Sequence, residues 1–183
     1  MTIVFYKPFQ VLSQFTREEE HHKCLADFLT VPSNVYPVGR LDYDSEGLLL
    51  LSDDTGLNKK LLDPSHHISK TYYVQVEGAI DQKAITQLQN GVSITLPNKK
   101  KYLTLPCTVA KLETPDLPER NPPIRYRAHI PVSWISITLH EGKNRQVRKM
   151  CAAAGFPVLR LVRATFGEYT LDGLQPGDYK VLD

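Results

Sequence analysis

A carboxylate next to a rigid strand is the first feature of this sequence that could do chemistry. Gly39-Arg40-Leu41-Asp42-Tyr43-Asp44-Ser45-Glu46 is turn-rich and charged, and it runs straight into Gly47 and the leucines 48–51. A short apolar run bounded by turn signals reads as a buried strand, and residues 35–41 are apolar enough for another. Asp42 is then expected in a connecting loop held by core on both sides, a common setting for catalytic side chains. An ionised carboxylate can act as a nucleophile or a base. In a dry pocket desolvation pushes it toward the neutral form, and a nearby arginine reverses that by about 1–3 pKa units. At an effective dielectric near 20, such a pair at ~4 Å gains about 4 kcal/mol before solvation costs.

The other carboxylates nearby invite a metal reading, which the spacing disfavours. A strand of about five residues spans roughly 17 Å, so Asp53 and Asp54 belong at the far end of the leucine strand, as caps. His21-His22 and His66-His67 are adjacent pairs, a poor spacing for two ligands on one helix face, and read as surface. No metal site is expected. Cys24, Cys107 and Cys151 are odd in number and widely spaced, which points to a reducing cytoplasm rather than a disulfide framework or a zinc site.

The elements that must position Asp42 can be placed along the chain. Residues 1–5 form a strand, ended by Lys7-Pro8, with Lys7 either solvated or on a phosphate partner. Thr16-Arg17-Glu18-Glu19 fits a capping box, opening a helix with Cys24, Leu25, Phe28 and Leu29 inward and Pro32 at its end. Asp53-Asp54-Thr55-Gly56 caps a short helix over residues 57–62. Residues 70–77 are a clear strand ended by Gly78, and alternation puts Tyr72 and Tyr73 on opposite faces. Asp81 caps a helix with Ala84, Ile85 and Leu88 inward and Gly91 past its end. Strands are expected at 92–96, 102–112, 133–139, 157–162 and 177–182, and a helix from its cap Asn144 through Ala154. Trp134 reads as core. Residues 115–131 hold five of the 13 prolines and read as a loop or extended insertion.

Strands outnumber helices and do not alternate regularly with them, so the expected fold is α+β: a mixed, mostly antiparallel sheet with flanking helices. The 183 residues suffice for one substantial core. Hydrophobic residues at 42% and charged ones at 23% suit a soluble globular chain. No apolar run is long enough to cross a bilayer, and the N-terminus lacks a signal-peptide pattern. A net charge of +2 does not announce nucleic-acid binding, but its distribution does suggest a phosphate-rich partner. Residues 142–163 carry Lys143, Arg145, Arg148, Lys149, Arg160 and Arg163 with no Asp or Glu, and Lys99 to Lys101 form a second basic cluster.

Three segments, in order, resemble bacterial RNA pseudouridine synthases of the RsuA type. They are Gly39-Arg40-Leu41-Asp42 with its leucine strand, Lys70-Thr71-Tyr72, and Glu141-Gly142-Lys143-Asn144-Arg145-Gln146-Val147-Arg148-Lys149-Met150. The Arg120-Asn121-Pro122-Pro123-Ile124-Arg125 insertion and Ser133-Trp134 resemble the branch acting on large-subunit RNA. The resemblance implies one catalytic domain over 1–183, with a small lobe at 1–60, a larger one at 61–183 and a central catalytic cleft. The family's frequent S4 RNA-binding domain is expected to be absent. Asp42 is the implied catalytic residue, kept charged by Arg148, with Arg40 as the fallback partner and otherwise a phosphate contact. Tyr72 is implied to stack on the flipped base. Arg40, Lys70, Lys143, Arg145 and Lys149 are implied RNA contacts. No cofactor is implied, because the isomerisation oxidises and consumes nothing. The implied setting is cytoplasmic, the partner 23S ribosomal RNA or an assembling large subunit, and the chain a monomer. A non-catalytic RNA-binding module and a metal-dependent hydrolase built on the acidic loop are the rivals, the first insensitive to Asp42→Asn and the second sensitive to chelator.

Overall fold

A computed structural model describes residues 1–182. The β-branched and aromatic N-terminus forms β1 (Thr2–Lys7), buried throughout. Val11–Leu12 (β2) and Lys23–Cys24 (β3) make a short parallel ladder. β4 (Tyr36–Val38) pairs antiparallel with the leucine strand β5 (Glu46–Ser52), so Asp42 lies in the connection between two paired strands. Then come α1 (Thr55–Leu62), β6 (Lys70–Glu77), α2 (Gln82–Asn90) and the hairpin β7 (Ser93–Thr95) and β8 (Lys101–Leu103). β9 (Thr108–Leu112), β10 (Val132–Leu139) and α3 (Gln146–Ala153) follow. β11 (Val158–Phe166), β12 (Tyr169–Thr170) and β13 (Tyr179–Val181) close the described chain.

In the described residues one nine-stranded sheet runs β13-β1-β5-β11-β6-β10-β9, with β4 on β5 and β12 on β11. Every pairing in it is antiparallel except β5 with β11. The fold is therefore the expected α+β, with a mixed and mostly antiparallel sheet. Gly47 makes the parallel seam possible: its φ is +107°, and a Cβ there would stand 2.3 Å from the Arg163 carbonyl oxygen. The four leucines after it are buried on both faces, as a central strand requires. Leu49 and Leu51 pack with Ile3, Phe5 and Leu25, while Leu48 and Leu50 pack with Val4, Val38 and Phe166. A third cluster joins Val74, Val76, Ile135 and Ile137 of the sheet to Ile85 and Leu88 of α2 and Val147 and Met150 of α3.

Asp54 and Asp81 cap α1 and α2 as their positions predict, and Trp134 is core. Asp53 lies at the far end of β5, its carboxylate on the N-terminal amine of Met1. Three expectations fail for local reasons. The helix expected after Thr16 is replaced by β3 and a single 3-10 turn, Leu25–Asp27. The Leu25 N–H, which a helix would spend on its own preceding turn, donates instead to the Gln14 carbonyl at 2.8 Å. The strand expected over 102–112 breaks between β8 and β9. Pro106 has no N–H there, and Thr104 turns aside to accept the Val92 N–H at 2.9 Å. Asn144 does not cap α3. Arg145 occupies that position with φ +50°, and the Asn144 side-chain Oδ1 accepts from Lys149 Nζ at 3.3 Å. Among the described residues no helix is long and apolar enough to cross a membrane.

Candidate active site

The backbone that carries Asp42 is fixed from several directions. Ser13 Oγ donates to the Leu41 carbonyl at 2.7 Å and accepts from the Leu41 N–H at 3.2 Å. The Ser45 N–H closes the turn on the Asp42 carbonyl at 3.0 Å, and the Gln10 N–H reaches the Tyr43 carbonyl at 2.8 Å. Lys7, far from being solvated or free for a phosphate, is fully buried. Its ammonium donates to the carbonyls of Pro8 and Val11 at 2.8 and 2.7 Å, with the Tyr43 carbonyl at 3.5 Å. Burial pulls Lys7 down to about 7 against the opposing pull of Glu46, Asp44 and Asp42.

Arg163 ties both ends of the hairpin together. Its guanidinium donates to the Gly39 and Leu48 carbonyls, both at 2.8 Å, and lies 4.9 Å from the Phe166 ring centroid. Arg160 is likewise internal, in a bidentate pair with buried Glu46 at 2.9 and 3.0 Å. Two of the six basic residues in 142–163 are thus structural, and the expectation that the whole stretch faces a phosphate partner is corrected. A cationic run in sequence does not reveal which members a β-strand turns inward.

Asp42 itself is partly exposed, and its nearest guanidinium belongs to Arg145, with Nη1 3.4 Å from Oδ2. Arg145 also holds Asp44 in a bidentate pair at 2.9 and 2.8 Å, and these hydrogen bonds keep the Asp44 carboxyl below the usual carboxylate range. Arg148 was the expected partner of Asp42. It instead donates to the Asp44 carbonyl at 2.8 Å, with Ser45 Oγ at 3.4 Å and Asp44 Oδ1 at 3.6 Å. Arg145 and Arg148 are three residues apart, so both reach the same loop from one face of the helix start. The side chain at the cap takes the carboxylates, and the one a turn later takes the backbone. The acidic pair therefore faces guanidinium groups.

Asp42 and Arg145 line one edge of a cleft of about 470 Å³. Arg40, Asp42, Lys70, Tyr72, Lys143 and Arg145 all border it, and Arg148 and Lys149 do not. Tyr72 sits opposite Ile137 and Arg163 in the β6 pairings. Lys70 is half-buried, its ammonium 5.3 Å from the Phe166 ring centroid, and burial and then Arg163 lower its pKa. Arg40 is exposed and donates to Gln14 Oε1 at 3.0 Å. Glu141 braces the far wall: it takes hydrogen bonds from the Tyr102 hydroxyl, the Leu105 N–H at 2.8 Å and Gln146 Nε2 at 2.8 Å. Tyr102, pushed up to about 12 by burial and by Glu141, stays a donor, and Lys143 lies over its ring at 4.9 Å. Sequence reasoning gave Asp44 and Glu141 no role in the site, although Glu141 heads the third motif, and it read Lys7 and Arg163 as outward cations rather than internal struts. Among the described residues, Glu19, His21 and His22 form a group with metal-ligand spacing, mostly exposed.

The sequence model of a family described as RNA pseudouridylate synthase matches residues 1–153. The chain is 51% identical over 180 residues to Ribosomal large subunit pseudouridine synthase E of Vibrio vulnificus, covering 98% of this chain and 74% of that protein. Its identity to the protein of the same name from Xanthomonas campestris is 45% over 185 residues, covering 100% and 96%. A solved structure described as pseudouridylate synthase superposes with a TM-score of 0.79 at 26% identity, covering 100% of this chain and 70% of that one. With these matches spanning the Asp42 hairpin, β6 and the start of α3, the chain belongs to the RNA pseudouridylate synthase family, in its RsuA-type branch.

Proposed function

We propose that this enzyme isomerises one uridine of 23S ribosomal RNA, with Asp42 acting on a base extruded into the cleft. The observation that carries the reading is the Asp42 carboxylate at the edge of an open 470 Å³ cleft, 3.4 Å from Arg145. The names of the similar proteins from Vibrio and Xanthomonas support large-subunit RNA as the substrate.

The reaction breaks the N1–C1′ bond, turns the uracil over and joins C5 to C1′; the C5 proton leaves to solvent and N1 takes one up. It is an isomerisation, so the atoms of the base and sugar suffice. Asp42 serves as the nucleophile or base that starts glycosidic cleavage. Arg145 sets a positive charge beside it, and Arg148 fixes the loop backbone behind it. Flipping the uridine costs a few kcal/mol, returned in part by stacking on Tyr72. Arg40, Lys70, Lys143 and Arg145 offer cations along the cleft for the flanking phosphates, while Lys149, held on Asn144, contributes at its margin.

The test is tritium release from an unmodified 23S transcript labelled at uracil C5, with pseudouridine mapping of the product. Asp42→Asn should abolish release while leaving transcript binding within a few-fold. Wild-type turnover by that variant refutes the assignment. Transcript binding without any pseudouridine in the wild-type reaction favours an RNA-binding module instead.

A further inference from the structure

The proline-rich segment 115–131 has no part in the reaction above, yet it is built onto the sheet. Arg160 donates to the Pro118 carbonyl at 2.7 Å. Arg120 donates to the Pro122 carbonyl at 2.8 Å and stacks 3.9 Å from the Phe9 ring centroid. Between this segment and the sheet lies a second cavity of about 310 Å³. It is bordered by Gln75 and Glu77 of β6, whereas Lys70 and Tyr72 border the cleft. Side chains of a strand alternate, so the two cavities open on opposite faces of β6.

The chemistry of this cavity is specific. Its apolar lining comes from Ile124, Ile130, Val132 and Leu159. Its lip is Arg125-Tyr126-Arg127, and Tyr126 is 87% exposed. From Arg120 to Pro131 there is no acidic residue. Among the described residues Arg125 has no ion-pair partner, and Arg127 has only Glu77 at 3.8 Å. A large aromatic left in water between two cations, beside an apolar lining, matches the way proteins hold a single strand of nucleic acid: bases stack and guanidinium groups take phosphates.

We infer that this cavity is a second RNA site, holding a single-stranded stretch of the substrate on the sheet face away from the cleft. One base stacks on Tyr126 beside the apolar lining, and Arg125 and Arg127 hold the adjoining phosphates. The inference rests on the RNA substrate proposed above. The site supplies affinity and orientation, while the cleft supplies the reaction.

Tyr126→Ala and the double variant Arg125→Ala/Arg127→Ala decide it. Binding of a labelled oligouridylate and of the 23S transcript is measured against salt, together with single-turnover rate at saturating transcript. Tyr126→Ala should weaken both ligands about tenfold. The double variant should lower the log–log salt slope by about 1.4, as two single-strand phosphate contacts require. Both should keep the wild-type rate at saturation. Unchanged affinity and slope, with wild-type protein still converting the transcript, overturn this site and leave the proposed function standing. If wild-type protein fails to convert the transcript, the substrate reading falls, and the oligouridylate still reports on the surface. Weakened binding only to an assembling particle, with naked RNA unaffected, identifies a protein occupant and refutes the inference. Tyr126 is so exposed that its truncation leaves the fold intact, which a thermal melt checks.

Discussion

Arg145 and Arg148 touch the same loop and do different work. Arg145 meets the Asp42 and Asp44 carboxylates, and its removal takes away the charge beside the proposed catalytic group. Arg145→Ala should cost about 100-fold in single-turnover rate, the scale seen when one preorganised donor is lost, with little change in melting temperature because it is exposed. Arg148 is mostly buried and serves the Asp44 carbonyl. Arg148→Ala should lower stability by about 1–3 kcal/mol, read as a urea midpoint, and lose activity through the displaced loop. Equal melting curves for the two variants would contradict this division. Lys7 gives the site a pH signature. Its folded value near 7 lies below the ordinary 10.5, so between those limits the unfolded chain binds more protons. Stability should therefore rise as pH goes from about 7 toward 10.5. Urea midpoints across that range should show the rise in the wild type and lose it in Lys7→Met.

At the scale of elements, the β5–β11 seam decides where the hairpin sits. It is the one parallel contact of the main sheet in the described residues, and it forms across Gly47. A side chain at Gly47 meets both a positive φ and the Arg163 backbone, so Gly47→Ala should destabilise by about 3–5 kcal/mol. The check is the thermal midpoint, and an unshifted midpoint would mean that the strands can part without cost. The same seam brings Arg163 to the Gly39 and Leu48 carbonyls. One buried guanidinium therefore holds the strand entering the Asp42 turn and the strand leaving it. On the other wall, Glu141 joins the start of α3 to the chain after β8, so the cationic loop and Tyr102 move together.

Across the whole molecule, a net charge of +2 conceals a division of labour among the cations. Lys7, Arg160 and Arg163 are internal, and the exposed cations proposed to meet RNA lie on the cleft rim, the β7–β8 hairpin and the proline-rich segment. Lys99, Lys100 and Lys101 are exposed beside Tyr102, which borders the cleft. The hairpin thus extends the cationic rim outward. Replacing all three lysines by alanine should reduce the log–log salt slope of transcript binding by about 2, with the saturated rate unchanged. A slope equal to wild type would remove the hairpin from the RNA footprint.

The sequence by itself determined the chemistry-bearing motifs, the α+β class and the elements whose signals are local. β6 and α2 are where alternation, Asp81 and Gly91 put them, because periodicity and caps act over a few residues. Asp42 in a strand-bounded turn was legible for the same reason. The tertiary structure alone decided which arginine meets Asp42 and which basic residues turn inward. It also decided that residues 16–29 would not form a helix. Those outcomes depend on partners far away in the chain: Arg145 and Asp44 are 101 residues apart, and Arg163 and Gly39 are 124 apart. Composition near a residue carries no record of what a sheet will bring against it.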